Sequence, residues 1–121
     1  MTDQKRIAIL GAGNIGTAIA KGLIKSGRFE PGQITLTRRR LHLLDELAKS
    51  GYVTLSDNIE AVQSSDIIIL AVEPQQLNTL LDELRDNFKA EGQVIISVVS
   101  GASVKQIKER LGNGLPVVRA M

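Results

Sequence analysis

The amino-acid sequence predicts a single α/β domain built on a doubly wound, parallel sheet of about six strands. Short apolar runs of strand length alternate along it with segments whose apolar residues recur at helical spacing. A glycine-rich turn joins the first apolar run to the first helical segment. Helical crossovers between parallel strands are almost always right-handed, so these strands should lie side by side in one sheet.

The first half of the chain gives three strands and two helices. Residues 6–10 (RIAIL) form a buried strand that ends at glycines. The next helix is expected to stop near Gly27 and to bury one apolar face, made of Ile15, Ala18, Ile19, Gly22 and Leu23. Residues 34–37 (ITLT) form the second strand, and a second helix, ended by Gly51, carries Leu41, Leu44, Leu47 and Ala48. Residues 52–55 (YVTL) form the third strand.

The second half continues the same alternation. Asp57 is placed to cap a short helix, and residues 66–72 (DIIILAV) give the strongest buried-strand pattern in the chain. Pro74 ends that strand, and the next helix packs through Leu77, Leu80, Leu81, Leu84 and Phe88. Residues 93–99 (QVIISVV) form the fifth strand. Ser103 caps the last helix, and residues 117–121 (VVRAM) form the sixth strand.

Composition argues against several classes of function. The chain of 121 residues has a formal net charge of +2, with two Phe, one Tyr and no Trp, which disfavours a nucleic-acid partner. It has no cysteine, and therefore no disulfide or thiolate metal site. The longest wholly apolar run, residues 67–72, is too short to span a bilayer, and the amino terminus lacks a signal-peptide pattern. We therefore expect a cytoplasmic protein without a membrane or nucleic-acid partner.

The glycine-rich turn predicts a dinucleotide site. Gly11, Gly13 and Gly16 have the G-x-G-x-x-G spacing, and they follow a strand and open a helix, as in a Rossmann-like domain. Glycine permits the sharp turn and the close approach of a pyrophosphate, and the helix amino terminus attracts the phosphates. We expect the whole turn to bind the cofactor: Gly11, Ala12, Gly13, Asn14, Ile15 and Gly16. The alternatives are a turn without a ligand and a methyltransferase site for an adenosine-bearing methyl donor.

Three arginines at the end of the second strand indicate which dinucleotide is bound. An NAD site usually has Asp or Glu there, about 20 residues after the turn, to accept from the ribose hydroxyls. Here Arg38, Arg39 and Arg40 occupy that position. A guanidinium can hold a 2′-phosphate through two parallel hydrogen bonds, and the Thr37 hydroxyl can add a donor. We expect Arg38 and Arg39 to bind NADP, with NAD still possible, and Arg40 to be a solvated helix start.

Several longer stretches together resemble one family. The segments "IAILGAGNIGTAIAKGL", "SDNIEAVQSSDIIILAVEPQ", "ISVVSG" and "VVRAM" are similar to the amino-terminal half of pyrroline-5-carboxylate reductase. This resemblance implies a reductase that transfers hydride from NADPH or NADH to a cyclic imine, giving proline. It also implies that Asn58 contacts the cofactor ribose, that Ala71, Val72 and Pro74 line the cofactor path, and that Ser100 and Gly101 lie near the nicotinamide. Helix capping by Asn58, and ordinary packing or turn roles for the others, are the alternatives.

The chain departs from this family in two ways. Glu73 stands where the family usually has Lys or Arg, and its charge would repel phosphates. Family members also continue after Val-Arg-Ala-Met into a helical carboxy-terminal domain that forms the dimer and completes the pocket for the imine substrate. That domain is absent from residues 1–121, so we expect one dinucleotide-binding domain that is catalytically incomplete on its own.

No catalytic or metal-binding residue is predicted within the chain. His42, the single histidine, falls among leucines, and Ser97 and Ser100 lack a histidine partner. A hydride-transfer domain needs no such group, because the cofactor carries the chemistry. The two other functional hypotheses are a stand-alone dinucleotide-binding or redox-sensing module and a deazaflavin-dependent NADP reductase.

Overall fold

A computed structural model describes residues 5–89, 91–112 and 114–120, so Met121 of the closing Val-Arg-Ala-Met motif lies outside the described residues. In the described chain the strands are β1 (Ile7–Leu10), β2 (Ile34–Thr37), β3 (Val53–Leu55), β4 (Ile67–Leu70), β5 (Val94–Ser97) and β6 (Val117–Arg119). They form one six-stranded sheet in the order β3-β2-β1-β4-β5-β6, and every pairing is parallel. The predicted doubly wound sheet is confirmed.

The helices of the described chain are α1 (Asn14–Lys25), α2 (Asp45–Lys49), α3 (Asn58–Gln63), α4 (Pro74–Leu84) and α5 (Val104–Leu111). Short 3-10 turns occupy Pro31–Gln33 and Leu41–Leu44. The predicted second helix is therefore a 3-10 turn followed by a short α-helix, in which Leu44 is buried and Leu41 is exposed. None of the helices in these ranges is long and apolar enough to cross a membrane.

Both faces of the sheet are covered, which explains why its strands are continuous apolar runs. On one face Ala8, Leu10 and Ile68 pack with buried residues of α3, α4 and α5. On the other face Ile9 and Leu36 pack with residues of α1 and α2. Because the sheet is parallel, the carboxyl ends of its strands meet along a single edge, where ligands bind in doubly wound folds.

The helix caps follow the predictions. The Asp57 carboxylate accepts hydrogen bonds from the N–H groups of Ile59 at 2.9 Å and Glu60 at 3.2 Å. The Ser103 hydroxyl accepts from the N–H of Gln106 at 3.0 Å. Such caps satisfy backbone donors that a helix cannot satisfy internally. These bonds fix where α3 and α5 begin, just beyond the carboxyl ends of β3 and β5.

The apolar face predicted for α1 is wrong in part. Gly16 and Ala20 are the buried residues of this helix, whereas Ala18 and Gly22 are exposed and Ile15 is 55% exposed. The cause is the close approach at Gly16, where an added Cβ would lie 3.1 Å from both the Gly11 carbonyl oxygen and the Ile9 side chain. The helix therefore meets the sheet through Gly16, and Ile15 is turned outward.

Candidate functional site

Two adjoining cavities lie at the carboxyl edge of the sheet. The larger, of about 600 Å³, is lined by Gly11, Thr37, Arg38, Arg39, Arg40, Leu43, Asn58, Ala71, Val72, Glu73, Gln75, Gln76, Thr79, Leu80 and Glu83. The smaller, of about 180 Å³, is lined by Ile15, Ala71, Val72, Glu73, Pro74, Val98 and Ser100. The segment that follows β4 belongs to both. One extended ligand can therefore occupy the two cavities by passing over that segment.

Most of the residues predicted for the site are brought together here. Those on the walls of the larger cavity are Gly11, Thr37, Arg38, Arg39, Asn58, Ala71 and Val72, and those on the walls of the smaller are Ile15, Ala71, Val72, Pro74 and Ser100. Five others lie on neither wall, namely Ala12, Gly13, Asn14, Gly16 and Gly101. Of these, Ala12 and Gly16 are buried beneath the turn.

The glycine turn has the geometry of a phosphate-binding turn. Gly11 has a φ of +85°, and a Cβ there would lie 2.6 Å from the Val72 side chain and 3.0 Å from its Cα. At Gly13 an added Cβ would meet nothing within 4 Å, so the backbone is open to a ligand. No side chain caps the first turn of α1. The turn therefore leaves both space and unused backbone N–H groups for a pyrophosphate.

Thr37 connects this turn to the third helix. Its hydroxyl donates to Asn58 Oδ1 at 2.6 Å and accepts from the Gly11 N–H at 3.3 Å. Its carbonyl oxygen accepts from the Ala12 N–H at 2.7 Å. The side chain is buried, and Asn58 Oδ1 provides its hydroxyl with an acceptor inside the protein.

Asn58 is the first residue of α3, and it does not cap that helix. Asp57 makes the cap, which leaves the Asn58 side chain free to meet Thr37. The side chain is half-buried and lines the larger cavity. Among the described residues, its Nδ2 group has no hydrogen-bond acceptor.

The side chains of the three arginines have no partner among the described residues. Arg38 is half-buried, and Arg39 and Arg40 are exposed. Within the described ranges none of their side chains forms a hydrogen bond or an ion pair. Arg40 is exposed directly before the 3-10 turn, as expected from the sequence, and it also lines the larger cavity. A guanidinium group without a carboxylate partner keeps its N–H donors available for an anionic ligand.

Helix α4 supplies a wall that sequence reasoning missed. Its polar residues Gln75, Gln76, Thr79 and Glu83 line the larger cavity together with Leu80. The residues recur at spacings of three and four, and α4 begins directly after the carboxyl end of β4. Those two signals together would have placed this face at the site. Glu73 is exposed on both cavity walls, and the Gln75 side chain donates to its carboxylate.

Neither cavity contains an arrangement typical of acid–base or nucleophilic catalysis. His42 is exposed and lies on neither wall. The Ser97 hydroxyl is buried and accepts from the N–H of Val99 at 3.2 Å. Groups of three or more His, Cys, Asp or Glu side chains that could hold a metal ion do not occur in the described part of the chain. In place of catalytic groups, the site has side chains that can position a ligand and interact with its charge.

Comparison with known proteins assigns this chain to a family. The model of a family described as NADP oxidoreductase, coenzyme F420-dependent, matches residues 6–101. The chain belongs to this family. Every residue that lines the two cavities falls within the matched range.

Similar curated proteins include several named pyrroline-5-carboxylate reductase, as the sequence motifs predicted. Pyrroline-5-carboxylate reductase 1 of Dictyostelium discoideum is 45% identical over 115 residues, which are 95% of this chain and 21% of that protein. A pyrroline-5-carboxylate reductase structure from Coxiella burnetii has a TM-score of 0.91 at 33% identity, covering 98% of this chain and 44% of that chain. This chain therefore spans less than half the length of either relative.

A third comparison bears on the fold alone. The Plasmodium falciparum pyrroline carboxylate reductase, crystallised with NADP bound, has a TM-score of 0.83 at 18% identity. It covers 98% of this chain and 42% of that chain. The family fold is thus retained where few side chains are shared.

Proposed function

We propose that this chain is the NADP(H)-binding domain of a pyrroline-5-carboxylate reductase, which transfers hydride to the cyclic imine and forms proline. One observation carries the proposal above all others. Arg38, Arg39 and Arg40 follow β2, their side chains have no partner in the described part of the chain, and they line a cavity that includes the glycine turn. An unpaired arginine cluster at this strand end suits the 2′-phosphate that distinguishes NADP from NAD. NAD remains a second possible cofactor.

The dinucleotide would be held along the carboxyl edge of the sheet. The pyrophosphate fits over Gly13 and the uncapped start of α1, where the helix dipole and backbone N–H groups favour anions. Asn58 would donate to the adenosine-side ribose, and Arg38 and Arg39 to its phosphate. Ala71 and Val72, shared by both cavities, would line the path between the two halves of the cofactor.

The smaller cavity would take the nicotinamide half. Ile15, Pro74 and Ser100 line it, and Gly101 follows directly along the chain. The apolar Ile15 side chain, 55% exposed in this structure, would be covered by a bound ligand. The reduced nicotinamide supplies the hydride, and this domain supplies the position and the charges that hold it.

The proposal also extends to the substrate, the partners and the cellular compartment of the complete enzyme. The chain spans 44% of the Coxiella burnetii reductase, which fits a second, helical domain that completes the imine pocket and forms the homo-oligomer. We propose cytoplasmic residence for the enzyme. Incubation of this chain with pyrroline-5-carboxylate and NADPH should yield little or no proline. Robust turnover would contradict the need for a further domain.

Calorimetric titration of this chain with NADPH, and separately with NADH, tests the cofactor assignment. We expect NADPH to bind at least about ten-fold more tightly, since one charge-assisted hydrogen bond contributes about that much. Equal affinities would retain a dinucleotide site but reject its preference for NADP. Failure of both cofactors to bind at millimolar concentration would overturn the proposal for this chain.

The family description favours one alternative function. It names coenzyme F420, a deazaflavin, as the partner of an NADP oxidoreductase. Reduction of a deazaflavin by a longer protein containing this chain, without reduction of pyrroline-5-carboxylate, would support that alternative.

A further inference from the structure

We propose that Thr37 is a positioning residue: it fixes the orientation of the Asn58 amide, so that the NH2 group of Asn58 points into the larger cavity as a ligand donor. The inference rests on the proposed function, because the ligand it concerns is the adenosine-side ribose of the dinucleotide. Thr37 thus acts on the ligand through Asn58 and does not contact the ligand directly.

The surroundings of the Thr37 hydroxyl decide where its single proton goes. The residue is 1% exposed, so solvent is not a partner. The N–H of Gly11 lies 3.3 Å from Oγ1, which must therefore accept there. Asn58 Oδ1, 2.6 Å away, is the acceptor that the described residues provide for the hydroxyl proton. A buried hydroxyl proton without an acceptor is costly, so the proton is donated to Oδ1.

The orientation of the Asn58 amide follows from this bond. Rotating the amide by 180° would turn its NH2 group toward Thr37 and leave the hydroxyl proton unbonded. With Oδ1 held by Thr37, the NH2 group is the part of the side chain that remains for the cavity. Asp57 already caps α3, and the Asn58 amide makes no further hydrogen bond within the described ranges.

The arrangement also selects the chemistry of the ligand at this point. An amide NH2 group only donates, so it recognises the acceptor oxygens of a ribose or of its phosphate. The same Thr37 hydroxyl accepts from Gly11, the first glycine of the phosphate turn. One side chain thus couples the position of the turn to the orientation of the ribose donor.

Affinity measurements on matched variants test this role. Thr37→Val removes the hydroxyl with little change of shape, and we expect NADPH binding to weaken about three- to ten-fold, the range for loss of one oriented hydrogen bond. Thr37→Ser keeps the hydroxyl and should restore binding to within about two-fold. Thr35→Val is the control, because Thr35 is an equally buried threonine two residues earlier on β2 and lies on neither cavity wall.

A double-mutant cycle separates positioning from direct contact. If Thr37 acts through Asn58, Thr37→Val should cost clearly less NADPH affinity in an Asn58→Ala background than in the wild-type chain, and the loss that persists there is the part carried by its bond to Gly11. An equal loss in both backgrounds would show that Thr37 does not act through Asn58 and would overturn the proposal. A loss of NADPH affinity that depends on Asn58 and is restored by Thr37→Ser would also contradict a purely structural role for Thr37.

A measurement without ligand keeps this inference distinct from the proposed function. In proton NMR spectra of the free chain, the Thr37 hydroxyl proton should exchange slowly with water, because it is buried and bonded to Asn58. Slow exchange that is lost in Asn58→Ala supports the bond even if the chain binds no cofactor. Rapid exchange in the wild-type chain overturns the inference whatever the cofactor titration gives.

Discussion

Replacing Gly11 with alanine tests the close contact between the glycine turn and Val72, in the segment that follows β4. Two costs add in this variant. The φ of +85° forces an alanine into the left-handed region, which costs about 1–2 kcal/mol. The new methyl group would also lie 2.6 Å from the Val72 side chain and 3.0 Å from its Cα. The side chain can turn away, but the backbone cannot, and such overpacking costs about 1–3 kcal/mol.

The free energy of unfolding should therefore fall by about 2–5 kcal/mol, a large part of the 5–15 kcal/mol typical of a domain. Urea unfolding followed by circular dichroism measures it, since the chain has no tryptophan to report by fluorescence. Gly27→Ala is the matched control, because its φ is +80° and an added Cβ there meets nothing within 4 Å. Equal losses in the two variants would refute the packing argument.

Three further predictions concern the cofactor site and one interhelical contact. Gly13→Ala should lower the unfolding free energy by less than about 1 kcal/mol, because the added methyl group meets no protein atom within 4 Å. It should weaken NADPH binding at least about ten-fold, because the methyl group would occupy the space proposed for the pyrophosphate. A calorimetric titration beside a urea curve checks both, and unchanged affinity would contradict a pyrophosphate at this turn. Glu73→Gln should tighten NADPH binding about two- to five-fold at low salt and less at high salt, because a repelling but screened charge is removed. Titration at two salt concentrations checks this, and no gain would place Glu73 away from the phosphates. Arg110→Ala should cost under about 1 kcal/mol in urea unfolding, because the ion pair between its Nη1 and the Asp82 carboxylate is solvent-exposed; a loss above about 2 kcal/mol would contradict that reading.

The strands and their parallel arrangement could be predicted because buried parallel strands leave a plain pattern in the sequence. Runs such as the one at Ile67–Leu70 are apolar on both faces, and each is bounded by a turn or a cap. The apolar face of α1 was harder to predict. Periodicity assigns Ile15 to the core, but it cannot separate an apolar side chain that packs inside from one that faces a cavity.

The candidate site was predictable where it depends on local spacing. The glycine turn and the arginines at the end of β2 follow from distances along the chain. The wall formed by α4 and the bond from Thr37 to Asn58 depend on which elements become neighbours in the sheet. These two residues are 21 positions apart, and their contact exists because β2 pairs with β3 and α3 begins just beyond β3.

The most direct test of the central claim is the preference for NADPH over NADH, measured in the wild-type chain and in a variant that lacks the first two arginines after β2. The ratio of the two affinities should be at least about ten in the wild-type chain and close to one in an Arg38→Ala/Arg39→Ala variant. NADH binding should change little, because it lacks the 2′-phosphate. Arg28→Ala, which removes an exposed arginine away from both cavities, should keep the wild-type ratio. An unchanged preference in the double variant would contradict the assignment of these arginines to the 2′-phosphate.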